Sequence, residues 1–341
     1  MRPTQPAGDT LIKSYRYLRL AMVGLVVCLT VAVIDLSLKQ KTILSSISAY
    51  YFTSAQAIFV GALIAIGVCM IALKGTTDAD DILLNIGGML APVVAVVPTA
   101  RIKDHRKILD ACEKSDGATF VDPLIKNVDC PTEQALQAVT EANVENNMLA
   151  LLVVAYVGLA ATLLFIVRDG LKLDRWLVGF GIAIGVVAVA SFVFFRYPEF
   201  FVHVAHYAAA IPMFTCIVLV VIVNAVRQRA KRENREPTPG AGLGAWMKEA
   251  ARALARPRSG YAFIALAMVL TAFVGGGLAW REVYEDTIFY LEAALIILFG
   301  VFWVAQTLEL LNVDPCPPRP ADSRQAGATQ TPVDVASAGS S

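Results

Sequence analysis

Charged residues are scarce in this sequence, and the signature motifs of soluble enzymes are missing from it. Asp, Glu, Lys and Arg make up 17% of the 341 residues, against about 25% in an average soluble domain. There is no phosphate-binding G-x-x-x-x-G-K-[S/T] loop, no G-x-G-x-x-G dinucleotide motif and no G-x-S-x-G nucleophile turn. These absences argue against ATP hydrolysis by this chain and against a soluble catalytic domain.

Cysteine pairs with metal-binding spacing are also absent. None of the six cysteines forms a C-x-x-C pair or a Cys/His pattern typical of zinc or iron–sulfur sites. Cys112 and Cys130 share the long loop 101–147, which is predicted to lie outside the cytoplasm, where disulfides persist. We therefore expect them to form a disulfide that stabilises the loop by about 3 kcal/mol. Two free thiols are the alternative.

What the sequence has in abundance is long apolar runs, since 57% of its residues are hydrophobic. The runs are about 20 residues long, the length that an α-helix needs to cross a hydrocarbon layer of about 30 Å. They are apolar on all sides, whereas barrel strands alternate apolar and polar residues. The sequence thus predicts an all-α, polytopic transmembrane helix bundle within residues 1–311. About eight spans are expected, near 17–38, 52–73, 82–100, 148–167, 176–195, 203–226, 261–280 and 287–308.

The distribution of basic residues predicts the orientation of the bundle. With eight spans, both tails and every second loop lie on one side of the membrane, and they hold 19 of the Lys and Arg residues. The loops on the other side hold 10. The richer side marks the cytoplasm, so the N- and C-termini are both predicted to be cytoplasmic. Residues 312–341 are rich in Pro, Ala, Ser and Gly, and we expect them to form a disordered cytoplasmic tail.

A basic cytoplasmic linker, residues 227–259, carries nine basic and three acidic residues. Within it, residues 245–256 have the pattern of an amphipathic helix, with Lys248, Arg252 and Arg256 on one face and Trp246 on another. Such a helix is expected to lie on the inner leaflet, with Trp246 at the headgroups and its basic face on anionic lipid. No nucleic-acid partner is predicted, because the topology already explains the charge.

Ionisable residues inside spans are costly and are candidates for function. Four of them fall in the predicted outer half of the bundle: Asp35, His203, His206 and Glu292. The spacing of His203 and His206 allows both rings to extend from one helix face. With a carboxylate they would suit zinc, which could activate water for hydrolysis of a lipid amide or ester. The alternative is that both histidines are solvated at the start of a helix, and no cofactor is then predicted.

Prolines and glycines within the spans raise two further possibilities. Pro92 and Pro212 fall near the middle of the third and sixth runs, and broken helices at matching positions can mark a transporter site. Kinks are also ordinary features of helix packing in membranes. The pair Gly181 and Gly185, spaced as G-x-x-x-G in the fifth run, predicts a close helix approach.

Several short motifs resemble a family of uncharacterised bacterial multi-pass membrane proteins. They are Ser48-Ala-Tyr-Tyr-Phe-Thr, Phe59-Val-Gly-Ala-Leu, Leu84-Asn-Ile-Gly-Gly, Val97-Pro-Thr and, in the last run, Glu292 with Val304-Ala-Gln-Thr-Leu-Glu. The resemblance covers about half of the chain. It implies a helical bundle in the bacterial cytoplasmic membrane, and it supplies no activity.

Three classes of function remain open. The favoured one is a non-enzymatic membrane scaffold or sensor that contacts lipid or a partner through its outer face and the basic linker. The second is a secondary transporter of a small or amphipathic solute. The third is a metal-dependent lipid hydrolase with an outward-facing site, for which zinc would be the cofactor. Membrane lipids are the predicted partners, and the sequence identifies no protein partner or substrate.

Overall fold

A computed structural model describes residues 6–75, 77–99, 109–110, 133–169, 176–234, 243–281 and 286–311. Within these ranges the regular structure is helical and contains no strand. The elements are α1 (Pro6–Gln40), a 3₁₀ segment (Ile47–Phe52), α2 (Gln56–Ala72), α3 (Asp78–Val96), α4 (Glu133–Asp169), α5 (Trp176–Arg196), α6 (Pro198–Arg232), α7 (Leu243–Ala255), α8 (Gly260–Trp280) and α9 (Thr287–Leu311). The loop cysteines Cys112 and Cys130, most of the outer loop, and the tail lie outside the described residues.

The predicted polytopic helical bundle is confirmed, and the chain is an integral membrane protein. In the described part, seven helices are long and apolar enough to cross a membrane. They are α1, α3, α4, α5, α6, α8 and α9. The remaining predicted span, the second in the chain (52–73), corresponds to α2, which has 17 residues and a length of about 25 Å. The count of eight spans stays a prediction.

Six helices form a closed ring. Neighbouring helices pack in the order α1, α2, α3, α6, α8 and α9, and α9 returns to α1. The start of α1 and the end of α9 lie at the same end of the ring, where the guanidinium of Arg19 donates to the backbone oxygen of Gln306 at 3.0 Å. We call this the inner end, after the basic residues, and the opposite end the outer end. Which end faces the cytoplasm stays a prediction.

The second span does not begin at residue 52 as predicted. Residues Ile47–Phe52 form the 3₁₀ segment instead, and α2 starts only at Gln56. All six residues of the segment are buried. Non-helical backbone at membrane depth is tolerated where protein buries it and satisfies its polar groups, and this segment meets that condition.

Helices α4 and α5 lie outside the ring and pack on it mainly at α3 and α6. Val144, Met148 and Leu152 are buried near the middle of α4, but most of the apolar side chains that follow them are exposed. The predicted close approach at Gly181 and Gly185 is wrong, because a Cβ on either glycine would meet nothing within 4 Å. Helix α4 begins at Glu133, well before residue 148, where the fourth span was predicted to start.

The predicted amphipathic helix of the linker is present as α7, and it packs on the inner ends of α6 and α8. Ala250 and Ala253 are buried there, and Trp246 packs partly against the core rather than pointing away from the bundle. The guanidinium of Arg229, near the end of α6, connects α6 to α7 by donating to the backbone oxygen of Arg252 at 2.6 Å. Where Trp246 lies relative to the lipid headgroups stays a prediction.

Candidate functional site: an apolar cavity under a buried 3₁₀ segment

A cavity of about 60 Å³ lies inside the ring. Side chains from five ring helices and from the 3₁₀ segment line it, and all but three are apolar. The three polar residues are Ser48, His206 and Glu292, which come from three different elements. The apolar lining residues are Val26, Leu29, Ile47, Phe59, Leu63, Ile66, Met70, Ala91, Val94, Ala210, Met213, Phe214, Ile217, Ile296 and Phe299.

The 3₁₀ segment covers the outer end of this cavity. Ser46 caps the segment, because its hydroxyl accepts from the backbone N–H of Ala49 at 3.2 Å. The hydroxyls of Ser46, Ser48 and Thr99 lie within 2.8 to 3.3 Å of one another. Since Thr99 follows α3, this buried hydroxyl cluster ties the segment to the end of that helix.

Two tyrosines anchor the same segment. Tyr50 is fully buried, its phenol is hydrogen-bonded to the Ser37 hydroxyl of α1, and its ring lies 6.1 Å from that of Phe289 in α9. Tyr51 is also buried, and its phenol is hydrogen-bonded to Gln56 and Asn147. Hydrogen bonds and a ring contact thus connect the segment to α1, α2, α4 and α9, in addition to α3.

Glu292 connects the last ring helix to the 3₁₀ segment. Its Oε2 accepts the backbone N–H of Ile47 at 2.7 Å, across 245 positions of sequence. The bond satisfies a donor that no helix would satisfy. The predicted functional candidate Glu292 therefore lies at the cavity, where it also closes the outer end.

His206 lies on the opposite wall of the ring and is 2% exposed. Its Nδ1 is 2.6 Å from the backbone oxygen of Val97, just after α3. A carbonyl oxygen only accepts, so Nδ1 carries the proton and donates it. In the neutral ring Nε2 is then an acceptor. The imidazole lines the cavity together with Glu292.

The other two sequence candidates are not part of this site. Asp35 lies on the exposed side of α1, where it pairs with Lys39 at 2.7 Å. His203 is exposed, and its Nδ1 bonds to the backbone oxygen of Glu199 at 2.8 Å in its own helix. The predicted pairing of His203 with His206 on one face is wrong, because one ring is exposed and the other is buried against α3. Among the described residues, no three His, Cys, Asp or Glu side chains are grouped to hold a metal ion.

A second polar cluster at the inner end was not anticipated from the sequence. Asn224 of α6 accepts from the Gln306 amide at 3.0 Å and donates to Asp80 at 3.5 Å, and all three residues are buried. Asp80 lies in the first turn of α3, which Thr77 caps by accepting its backbone N–H at 3.1 Å. The third span was expected to begin at residue 82, which left Asp80 in a loop.

Arginine and aromatic side chains surround this inner cluster. The guanidinium of Arg19 lies 5.7 Å from the ring centre of Trp303, in addition to its bond to the Gln306 backbone. The phenol of Tyr261 donates to Glu309 at 2.6 Å. Together with Asn224 and Asp80, these residues join five ring helices near the inner end. The cluster lines a smaller cavity of about 20 Å³.

Comparison with known proteins gave no relative. No family model, no curated protein and no solved structure matches this chain. The function must therefore be argued from the cavity and from the groups that line it.

Proposed function

We propose that this chain is a non-enzymatic membrane sensor that binds a small apolar or amphipathic ligand in the cavity inside its ring. The observation that carries the proposal is the lining, which is apolar along its length and polar only at Ser48, His206 and Glu292. Small-molecule sites commonly have this composition, with few polar groups that fix the orientation of the ligand.

The position of the cavity supports this proposal, because five of the six ring helices line it. A ligand in the cavity would touch those five helices at once, so any state in which they move apart would bind it less well. A difference in affinity of this kind is what a sensor requires.

Transport is the second candidate, and one observation favours it. The cavity lies between α3 and α6, the two helices that contain Pro92 and Pro212, and buried polar clusters lie at both its outer and its inner end. A transporter would carry the bound solute across a vesicle membrane, whereas a sensor would only bind it. The hydrolase alternative has less support, since His203 and His206 do not share an environment.

We further propose that the chain acts in a bacterial cytoplasmic membrane, as the family resemblance implies. The basic linker would then contact anionic lipid of the inner leaflet. Lys248, Arg252 and Arg256 support this proposal because all three are exposed on or just after α7. The apolar face of α7 is used for packing on the bundle, so the contact with lipid would be mainly electrostatic.

Binding of butan-1-ol to the detergent-solubilised protein tests the proposed site. Saturation-transfer NMR would measure the affinity for wild type, for Ala210→Phe and for Ala208→Phe. Ala210 lines the cavity, whereas Ala208 is exposed on the same helix. We expect Ala210→Phe to weaken binding at least about tenfold, because the ring fills the cavity, and Ala208→Phe to bind like wild type. Equal binding by all three proteins would overturn the proposal.

A further inference from the structure

Two buried hydrogen-bond donors at the inner end have no acceptor among the described residues. Trp303 is 3% exposed, and its indole Nε1 has no hydrogen-bond partner there. The Nε of Arg19 is also buried without a partner, although another nitrogen of the same guanidinium donates to the backbone oxygen of Gln306. Buried donors are nearly always paired, because an unpaired one has lost its bonds to water and gained none in return. The two nitrogens therefore require an acceptor from outside the described residues.

Both donors belong to residues that line the smaller, inner cavity of about 20 Å³. Arg19 and Trp303 also lie against each other, with the guanidinium carbon 5.7 Å from the centre of the indole ring. One water needs about 10–15 Å³, so the cavity suits a single group of that size or an ion slightly larger. Lys74 is an exposed member of the lining, which gives such a group a route from the inner surface.

The charge of the lining indicates that this group is an anion. Arg19 and Lys74 are positive, Asp80 is negative, and the other described lining residues are uncharged, so the lining has a net charge of +1. The next charges around Arg19 are those of Glu309 and Arg227, which have opposite signs. A water molecule would satisfy the donors and leave the charge in place. An anion would do both, and charge-assisted hydrogen bonds are about twice as strong as neutral ones.

We propose that the inner cavity binds one monovalent anion of halide size, held by the guanidinium of Arg19 and the indole N–H of Trp303. The ion would connect α1 to α9 beside the bond between Asn224 and Gln306. This site is separate from the apolar cavity, and it does not depend on the function proposed above. An ion that binds only the folded chain stabilises it, so the stability of the protein depends on the concentration of that ion.

Chloride is the probe for this site. Thermal unfolding of the detergent-solubilised full-length protein would be followed while sodium chloride replaces sodium gluconate at constant ionic strength, because gluconate is a six-carbon anion and too large for the cavity. We expect the midpoint of wild type to rise by at least about 2 °C between zero and about 300 mM chloride. Equal midpoints in the two salts would overturn the proposal and would mean that water satisfies the two donors.

Trp303→Phe is the variant that tests the indole, and Trp246→Phe is its matched control. Phenylalanine keeps an aromatic ring and removes the N–H donor, while Trp246 lies on α7 and is not part of the cavity lining. The chloride-dependent rise should fall to about half or less in Trp303→Phe and stay unchanged in Trp246→Phe. Equal rises in all three proteins would indicate a general salt effect and would overturn the proposal.

Chloride-35 NMR provides an independent readout on the same proteins. Exchange of the ion with a protein site broadens its resonance, and the broadening should be smaller for Trp303→Phe than for wild type and Trp246→Phe. Equal broadening by the three would overturn the site. If Trp303→Phe does not fold, Arg19→Lys replaces it in both measurements with the same expected loss, because it keeps the positive charge and lacks the Nε–H donor.

Discussion

Gly67 of α2 and Gly88 of α3 meet backbone to backbone inside the ring. A Cβ built on Gly67 would lie 2.7 Å from the Gly88 carbonyl oxygen, and one built on Gly88 would lie 2.6 Å from the Gly67 carbonyl oxygen. Neither contact can be relieved by a side-chain rotation, because both involve backbone atoms. The crossing of α2 and α3, which form one wall of the cavity, therefore depends on the absence of two side chains.

Gly67→Ala should destabilise the protein by about 1–3 kcal/mol, since the added methyl group forces two backbones apart. Gly61→Ala is the control on the same helix, because a Cβ there meets nothing within 4 Å. That change should be neutral or stabilising by up to about 1 kcal/mol, through helix propensity alone. Thermal unfolding of both variants in one detergent would compare them, and equal shifts would contradict the proposed close contact.

His206→Leu should cost about 1–3 kcal/mol of stability, because it leaves the buried Val97 carbonyl without the donor described above. His203→Leu changes a residue that is exposed in the same helix and bonds only locally. Its effect should stay within about 0.5 kcal/mol. Midpoints of thermal unfolding for the two variants provide the test. A larger loss for His203→Leu would show that the assignment of the buried ring is wrong.

The inner polar cluster should behave as a coupled unit. Asn224→Leu and Gln306→Leu each break the amide bond between α6 and α9, so the double variant should lose less than the sum of the two. A coupling energy of about 0.6–1.7 kcal/mol is typical of such bonds in membranes. Thr215→Val, which removes an exposed bond to its own helix, should show no coupling with Gln306→Leu. Additivity within error for Asn224 and Gln306 would contradict a direct bond.

Much of the fold was predictable because apolar runs of about 20 residues have few stable alternatives in a membrane. The runs near 203–226 and 287–308 correspond to α6 and α9 for that reason. The 3₁₀ segment was not predictable, since its mostly apolar residues cannot be distinguished by hydropathy from the beginning of α2. Only the bonds that Glu292 and Thr99 make across long sequence distances show that it is a separate buried element.

The candidate site was predicted in part. Glu292 and His206 were identified because ionisable residues are rare in spans, but hydropathy gives no information about which way a side chain faces. Asp35 and His203 are also ionisable residues within predicted spans, yet both are exposed. Asn224 and Gln306 gave no hydropathy signal, because single uncharged amides hardly lower the hydropathy of a long run. Their bond becomes visible only when α6 and α9 are placed side by side.

The bond between Glu292 and Ile47 also has a consequence for the order of synthesis. Ile47 leaves the ribosome early and Glu292 leaves it 245 residues later, after seven of the described helices that follow the 3₁₀ segment. Until α9 arrives, the ring has a gap between α8 and α1, and the Ile47 N–H must bond elsewhere. A chain stalled before α9 would thus carry an open cavity, which exposes the immature protein to lipid and to quality-control proteases.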